Sequence, residues 1–254
     1  MDLLSLGAIQ NCWVIFESDM MKRIAYLLVI FWCFTGHPAL SQSAADRESI
    51  RGESRLGAKL TYEPIKDLDL SVEEQVRFKT YGDFFDENLV ELVAKYELWK
   101  NWDLGVGYRY SNANDDEGNR QGFRVVNRLH YLLNYKINFE RSELGFRLQY
   151  QHRKRRDHDG EWSEWEKNTM RYKVMYEYDI KDWKLDPEFA IVYFNEDAGI
   201  GFGENDKYRA ILGSTWRLPG PQDLKFKVMY EGGLGQSEQI PTVIGAVFYT
   251  YDLK

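Results

Sequence analysis

The sequence predicts an all-β chain, an antiparallel up-and-down transmembrane β-barrel of ten to twelve strands. Three observations predict it: apolar and charged residues alternate with period two, the connections between alternating stretches are short and long in turn, and an export signal stands near the N-terminus. Residues 170–180 show the alternation most plainly. Met170, Tyr172, Val174, Tyr176, Tyr178 and Ile180 fall on one side of an extended chain, with Arg171, Lys173, Glu177 and Asp179 on the other. The stretch has about the 9 to 11 residues that a tilted strand needs to cross a bilayer.

Composition is compatible with this reading. A mean hydropathy of −0.54 with 44% hydrophobic and 29% charged residues resembles a soluble protein only because lumen residues of a barrel cancel lipid-facing ones. Aromatic residues make up 15% of the chain, which suits girdles at the two membrane interfaces. From Met21 the chain reads Met-Lys-Arg, an apolar run from Ile24 to Phe34, and small residues before Ser41, so a signal peptide over residues 1–41 is expected, cut after Ser41. Residues ahead of Met20 fit no such signal, and the true start is expected at Met20 or Met21. Cys12 and Cys33 both precede the cut, so the mature chain offers no disulfide and no thiolate metal site. The formal net charge of −7 argues against nucleic acid as a partner.

Taken in order, residues 42–53 are an N-terminal segment or a short first strand, and residues 54–254 are the barrel. Leu56, Ala58, Leu60 and Tyr62 alternate with Arg55, Lys59 and Glu63; a turn at Pro64 to Asp67 leads to Leu68, Leu70, Val72, Val76 and Phe78, opposed by Glu73, Arg77 and Lys79. After a loop from Tyr81 to Glu87, Val90 to Leu98 pairs through the tight Trp99–Trp102 turn with Leu104 to Tyr110. Asn, Asp and Gly mark Ser111 to Gln121 as a loop. Phe123 to Tyr135 and Leu144 to Tyr150 form the next pair, and the longest loop is expected over His152 to Glu166. Met170–Ile180, a turn to Lys184, and Leu185 to Tyr193 follow. Beyond a loop at Glu196 to Asp206 come Tyr208 to Leu218, the Pro219-Gly220-Pro221 turn, Leu224 to Tyr230, a Gly-rich loop over 232–240 and a last strand ending at Leu253.

Eleven strands are readable, yet an exported chain with both ends in the periplasm needs an even number. Either Ala44 to Ile50 supplies a first strand with Arg51-Gly52 as its turn, giving the preferred twelve, or the region before Leu68 is not a full strand, giving ten. A soluble lipocalin-like barrel is the alternative, but its core would have to satisfy many buried phenols.

Several strand segments resemble the outer-membrane barrels of the domain-of-unknown-function 2490 family (DUF2490). They are Glu73 to Phe78, Gly105 to Tyr110, Met170 to Tyr172 with Tyr176 to Tyr178, Pro187 to Phe189, and Tyr208-Arg209 with Gly213, spread over residues 54–231. That family has no established activity, so the resemblance implies a fold and a location in the bacterial outer membrane. A weaker likeness is to the oligogalacturonate-type small porins, through strand length and an arginine-rich lumen.

With the aromatic face toward lipid, the opposite face becomes the lumen and collects a basic ladder: Arg77, Arg109, Arg124, Arg128, Arg147, Arg171, Lys173, Arg209, Arg217, Lys225 and Lys227. Inward acids are fewer, among them Asp69, Glu73, Glu91, Glu97, Glu177, Glu188 and Glu231, while Asp86, Glu87, Asp115 and Glu196 are expected in the loops. Such a surplus suits a narrow channel or binding lumen for anionic solutes. The alternative is a closed structural barrel whose charges neutralise one another. A second alternative, a rim-site enzyme, would rest on the Asp-flanked His158 or the inward His130. No catalytic residue, cofactor or metal is expected. Expected partners are membrane lipid, lipopolysaccharide phosphates facing Arg153 to Arg156, the barrel-assembly machinery during biogenesis and a small anionic solute; the chain is expected to be a monomer of the outer membrane of a Gram-negative bacterium.

Overall fold

Period-two patterning forces neighbouring strands to present their apolar residues on one surface, and a sheet built this way closes on itself to remove its edges. In the computed structural model, which describes residues 50–80, 84–115, 121–156, 161–196, 206–234 and 240–253, eleven strands do this. They are β1 (Arg51–Ile65), β2 (Leu68–Lys79), β3 (Phe85–Trp99), β4 (Trp102–Asp115), β5 (Gly122–Asn138), β6 (Ser142–Arg156), β7 (Trp162–Tyr178), β8 (Leu185–Asn195), β9 (Lys207–Leu218), β10 (Gln222–Gly233) and β11 (Thr242–Leu253). Each pairs antiparallel with the next, and β1 closes the barrel on β11 in parallel, from Arg51 opposite Thr242 to Tyr62 opposite Leu253.

The parallel seam is how an odd number of strands closes. Among the described residues the count is eleven, inside the expected range. The strand expected at Ala44 to Ile50 lies, apart from Ile50, outside the described residues. Its expected turn at Arg51-Gly52 is instead the start of β1, whose amide at Arg51 donates to the Pro241 carbonyl at 2.8 Å. The segment before Leu68 is a full strand, which removes the ten-stranded count.

Short connections gather at one end. Three of them turn on an Asp or Asn in the left-handed region, Asp67 (φ 68°), Asn101 (φ 74°) and Asp182 (φ 61°), and Gly220 (φ 82°) serves the Pro-Gly-Pro turn; these residue types adopt that backbone at the least steric cost. The strands run further toward the other end than the alternation suggested. β4 reaches Asp115, β6 reaches Arg156, and β3 starts at Phe85, inside stretches expected as loops.

Leu60, Val72, Leu92, Val106, Val174, Ile191, Leu212 and Val228 are exposed on the outer wall, Leu212 by 63%. Trp99, Trp102 and Trp183 surround them at the short-turn end, and Phe84, Phe123 and Trp162 at the other. The inner wall is divided. On β8–β11, Ala190, Val192, Phe194, Ile211, Met229, Ile244 and Ala246 pack into one buried apolar cluster, joined by Met175 and Phe248. On the other strands the inner wall is mostly polar or charged, with Leu89 and Leu132 as buried apolar exceptions. Room for the largest inner side chains comes from two glycines: a Cβ on Gly107 would lie 2.2 Å from His130 Nε2, and one on Gly57 would lie 2.5 Å from Phe248.

Candidate functional site

Arg128 of β5 pairs in register with Arg109 of β4 on one side and Arg153 of β6 on the other. Directly opposed like charges destabilise a sheet unless countercharge sits between them. Arg109 has that countercharge, its Nε donating to Glu91 Oε1 at 3.0 Å. Arg128 and Arg153 have no carboxylate within 4 Å among the described residues. Arg128 is only 8% exposed, its Nε is buried without an acceptor, and it stands in the field of Arg109, Arg153, Arg171 and Arg77.

The rest of the ladder divides into paired and unpaired members. Arg77 holds Glu87 at 2.7 Å, Arg124 holds Asp115, Arg209 holds Glu231, and Lys173 and Lys227 share Glu188 at 3.4 and 2.9 Å. Arg147 donates from Nε to Asn134 Oδ1 at 2.7 Å and has no carboxylate within 4 Å among the described residues. Arg171 also has none; its guanidinium lies 4.4 Å from the centroid of the Phe194 ring, with its Nε buried and unsatisfied. Lys225 points inward without a partner within 4 Å among the described residues. Arg217 departs from the expected ladder: it is on the inner side of β9 but at the short-turn rim, its side chain 61% exposed and bound to Asp186 at 2.7 Å.

Between the charged wall and the apolar cluster is a cavity of about 150 Å³. Arg147, Arg171, Lys173 and Arg209 contribute its cationic side, Gln149 an amide, and Val192, Phe194 and Ile211 its apolar side. With Lys173 and Arg209 committed to Glu188 and Glu231, the cations open to a guest are Arg147 and Arg171. A buried guanidinium with an unmet donor is costly, about 1 to 3 kcal/mol for a polar group and more for a charge, so the arrangement favours entry of an anion.

The inward acids are more numerous than expected. Glu87, expected in a loop, faces inward from β3 onto Arg77; Glu53 holds Arg55 at 2.6 Å. Glu196, one residue beyond β8, bridges Lys167 and Lys207; burial opposes its ionisation, but the two lysines hold its carboxyl below the usual carboxylate range. Arg153 belongs to the inner wall rather than to a loop, because β6 continues through it. Lys154 and Arg156 face outward against the Trp162 ring, at 5.9 and 4.6 Å. His130 is 2% exposed, with its Nδ1 3.7 Å from Glu91, too far for a hydrogen bond. His158 lies outside the described residues.

The family model described as a protein of unknown function, DUF2490, matches residues 56–239. No curated protein matches the chain. Among solved structures, the anion-selective porin from Comamonas acidovorans is 12% identical with a TM-score of 0.37, the match covering 75% of this chain and 54% of the porin. The chain thus spans about half the length of that porin. The NanC porin is 14% identical with a TM-score of 0.44, the match covering 71% of this chain and 85% of the porin.

Proposed function

The chain belongs to the DUF2490 family, and we propose that it works as an outer-membrane barrel whose lumen takes up small anionic solutes. The membrane location is supported by the outer wall: an apolar surface surrounding a closed barrel is soluble only in lipid, and its Trp and Phe residues stand toward the two ends where headgroups would lie. The export signal expected over residues 1–41 would deliver such a chain to the bacterial outer membrane.

One observation carries the anion reading. Arg128 and Arg171 are inward guanidiniums with buried, unsatisfied Nε atoms and no carboxylate within 4 Å among the described residues, in a lumen whose other arginines largely have one. An anion between Arg128, Arg153 and Arg171 would supply the missing acceptors and cancel their repulsion. A closed structural barrel is the second reading, favoured by the apolar cluster that fills much of the interior.

Planar-bilayer recordings separate the two. Uptake of anions predicts a small conductance whose reversal potential under a salt gradient reports anion preference, reduced in the Arg128→Met, Arg171→Met double variant. Cation preference, or a membrane that stays silent while the purified protein binds no anion saturably, overturns the proposal.

A further inference from the structure

The cavity facing Arg147 and Arg171 is not built for a strongly hydrated ion. Resting on the anion reading above, we propose that its ligand is an aryl carboxylate, a monoanion carrying one flat apolar ring. The first reason is the lining. An inorganic anion would meet guanidinium on one side and Val192, Phe194 and Ile211 on the other, giving up hydration on the apolar side with nothing in return. A sugar acid could turn a hydroxyl to the Gln149 amide, but the hydroxyls facing Val192, Phe194 and Ile211 would be left without a partner. A carboxylate on an apolar ring matches both sides at once: the planar guanidinium pairs the carboxylate oxygens bidentately, and the ring lies against aliphatic and aromatic carbon.

Size is the second reason. The cavity is about 150 Å³, the volume at which an apolar protein cavity takes up benzene. The third reason is the aromatic floor. Phe194 is 2% exposed and is approached by the guanidiniums of Arg171 at 4.4 Å and Arg209 at 5.1 Å. The ring is therefore fixed in the wall, and Arg171 already lies against an aromatic face, the geometry in which it would stack on a ligand ring as well. Because Arg209 is held by Glu231, Arg171 is the cation left to receive the carboxylate, with Arg147 beside it.

Calorimetric titration of the protein in detergent micelles, with benzoate, glucuronate and the uncharged benzamide as probes, tests the assignment. Benzoate is expected to bind saturably and at least about tenfold tighter than glucuronate, a difference of about 1.4 kcal/mol, and benzamide not at all. Arg171→Met should remove binding of both anions. Phe194→Leu, which keeps an apolar side chain, should reduce the advantage of benzoate while leaving glucuronate binding in place; heat-modifiable gel mobility confirms that each variant is folded. Equal affinity for benzoate and glucuronate overturns the aryl class and leaves the anion reading standing. Benzoate binding that survives Arg171→Met, or is matched by benzamide, overturns the site. Absence of saturable binding by either anion, together with absence of anion preference in the bilayer, removes both readings.

Discussion

The inner walls of β8–β11 and of β4–β7 fill the same barrel by opposite means. The first interlocks Phe194, Ile211, Met229 and Ile244 as the core of a soluble domain would; the second lines up Arg109, Arg128 and Arg153 in direct cross-strand register. Apolar packing contributes stability wherever the carbons meet, whereas a row of guanidiniums contributes only when each has an anion. The apolar wall therefore gives the barrel its rigidity, and the arginine wall carries an unmet demand.

Substitutions that exchange the two logics should have the largest effect. Ile244→Asp buries a carboxylate between Met229 and the inward carboxylate of Glu53, a cost of several kcal/mol after relaxation, and the barrel should fail to reach its compact, heat-modifiable form. Glu188→Gln comes next. It leaves Lys173 and Lys227 without the carboxylate they share, and urea unfolding followed by tryptophan fluorescence should show a loss of about 3 to 5 kcal/mol. Gly107→Ala should cost about 1 to 3 kcal/mol through overpacking against His130, read by the same unfolding curve.

Arg171→Met sharpens the comparison from the other direction. Removing a buried cation that lacks a carboxylate should leave stability unchanged or raise it, while anion preference falls. A marked destabilisation would show that Arg171 is held by its surroundings as firmly as Arg209. The smallest effect is at the rim. Glu196, with its carboxyl held low, contributes stability above the pH at which an unfolded glutamate titrates, about 4.3, and this contribution disappears as pH falls through its lower folded value. Hydrogen-exchange protection factors at the loop ends of β7–β9, corrected for the intrinsic pH dependence of exchange, should fall on acidification, and Glu196→Gln should remove that dependence.

Much of this division was written in the sequence, though unevenly. Where one face is apolar and the other charged, as along Arg171 to Tyr178, residue type alone assigns both faces, and the structure places them as the alternation predicts. At strand ends the signal disappears. Arg153 to Arg156 and Asp86-Glu87 are polar on both faces, as strand ends beyond the hydrocarbon would be under the membrane reading, so the strands continue through stretches that carry no periodicity. For that reason Arg153 and Glu87 were missing from the predicted lumen. The apolar wedge was hidden differently. Phe189 to Phe194 is apolar without interruption, the mark of a strand covered on both faces, but its outer residues already satisfied the barrel pattern and its inner ones went unread. Which cations lack a carboxylate could not be read at all, since pairing depends on register between strands.

The seam between β1 and β11 has a consequence for engineering. Because the two strands run in parallel, the first residue of the barrel and the last stand at opposite ends of the cylinder, a separation of a whole strand length rather than a hairpin's width. Rejoining Leu253 to Arg51 in a circularly permuted version would need a linker running the full height of the wall. The same polarity gives the folded domain a built-in direction.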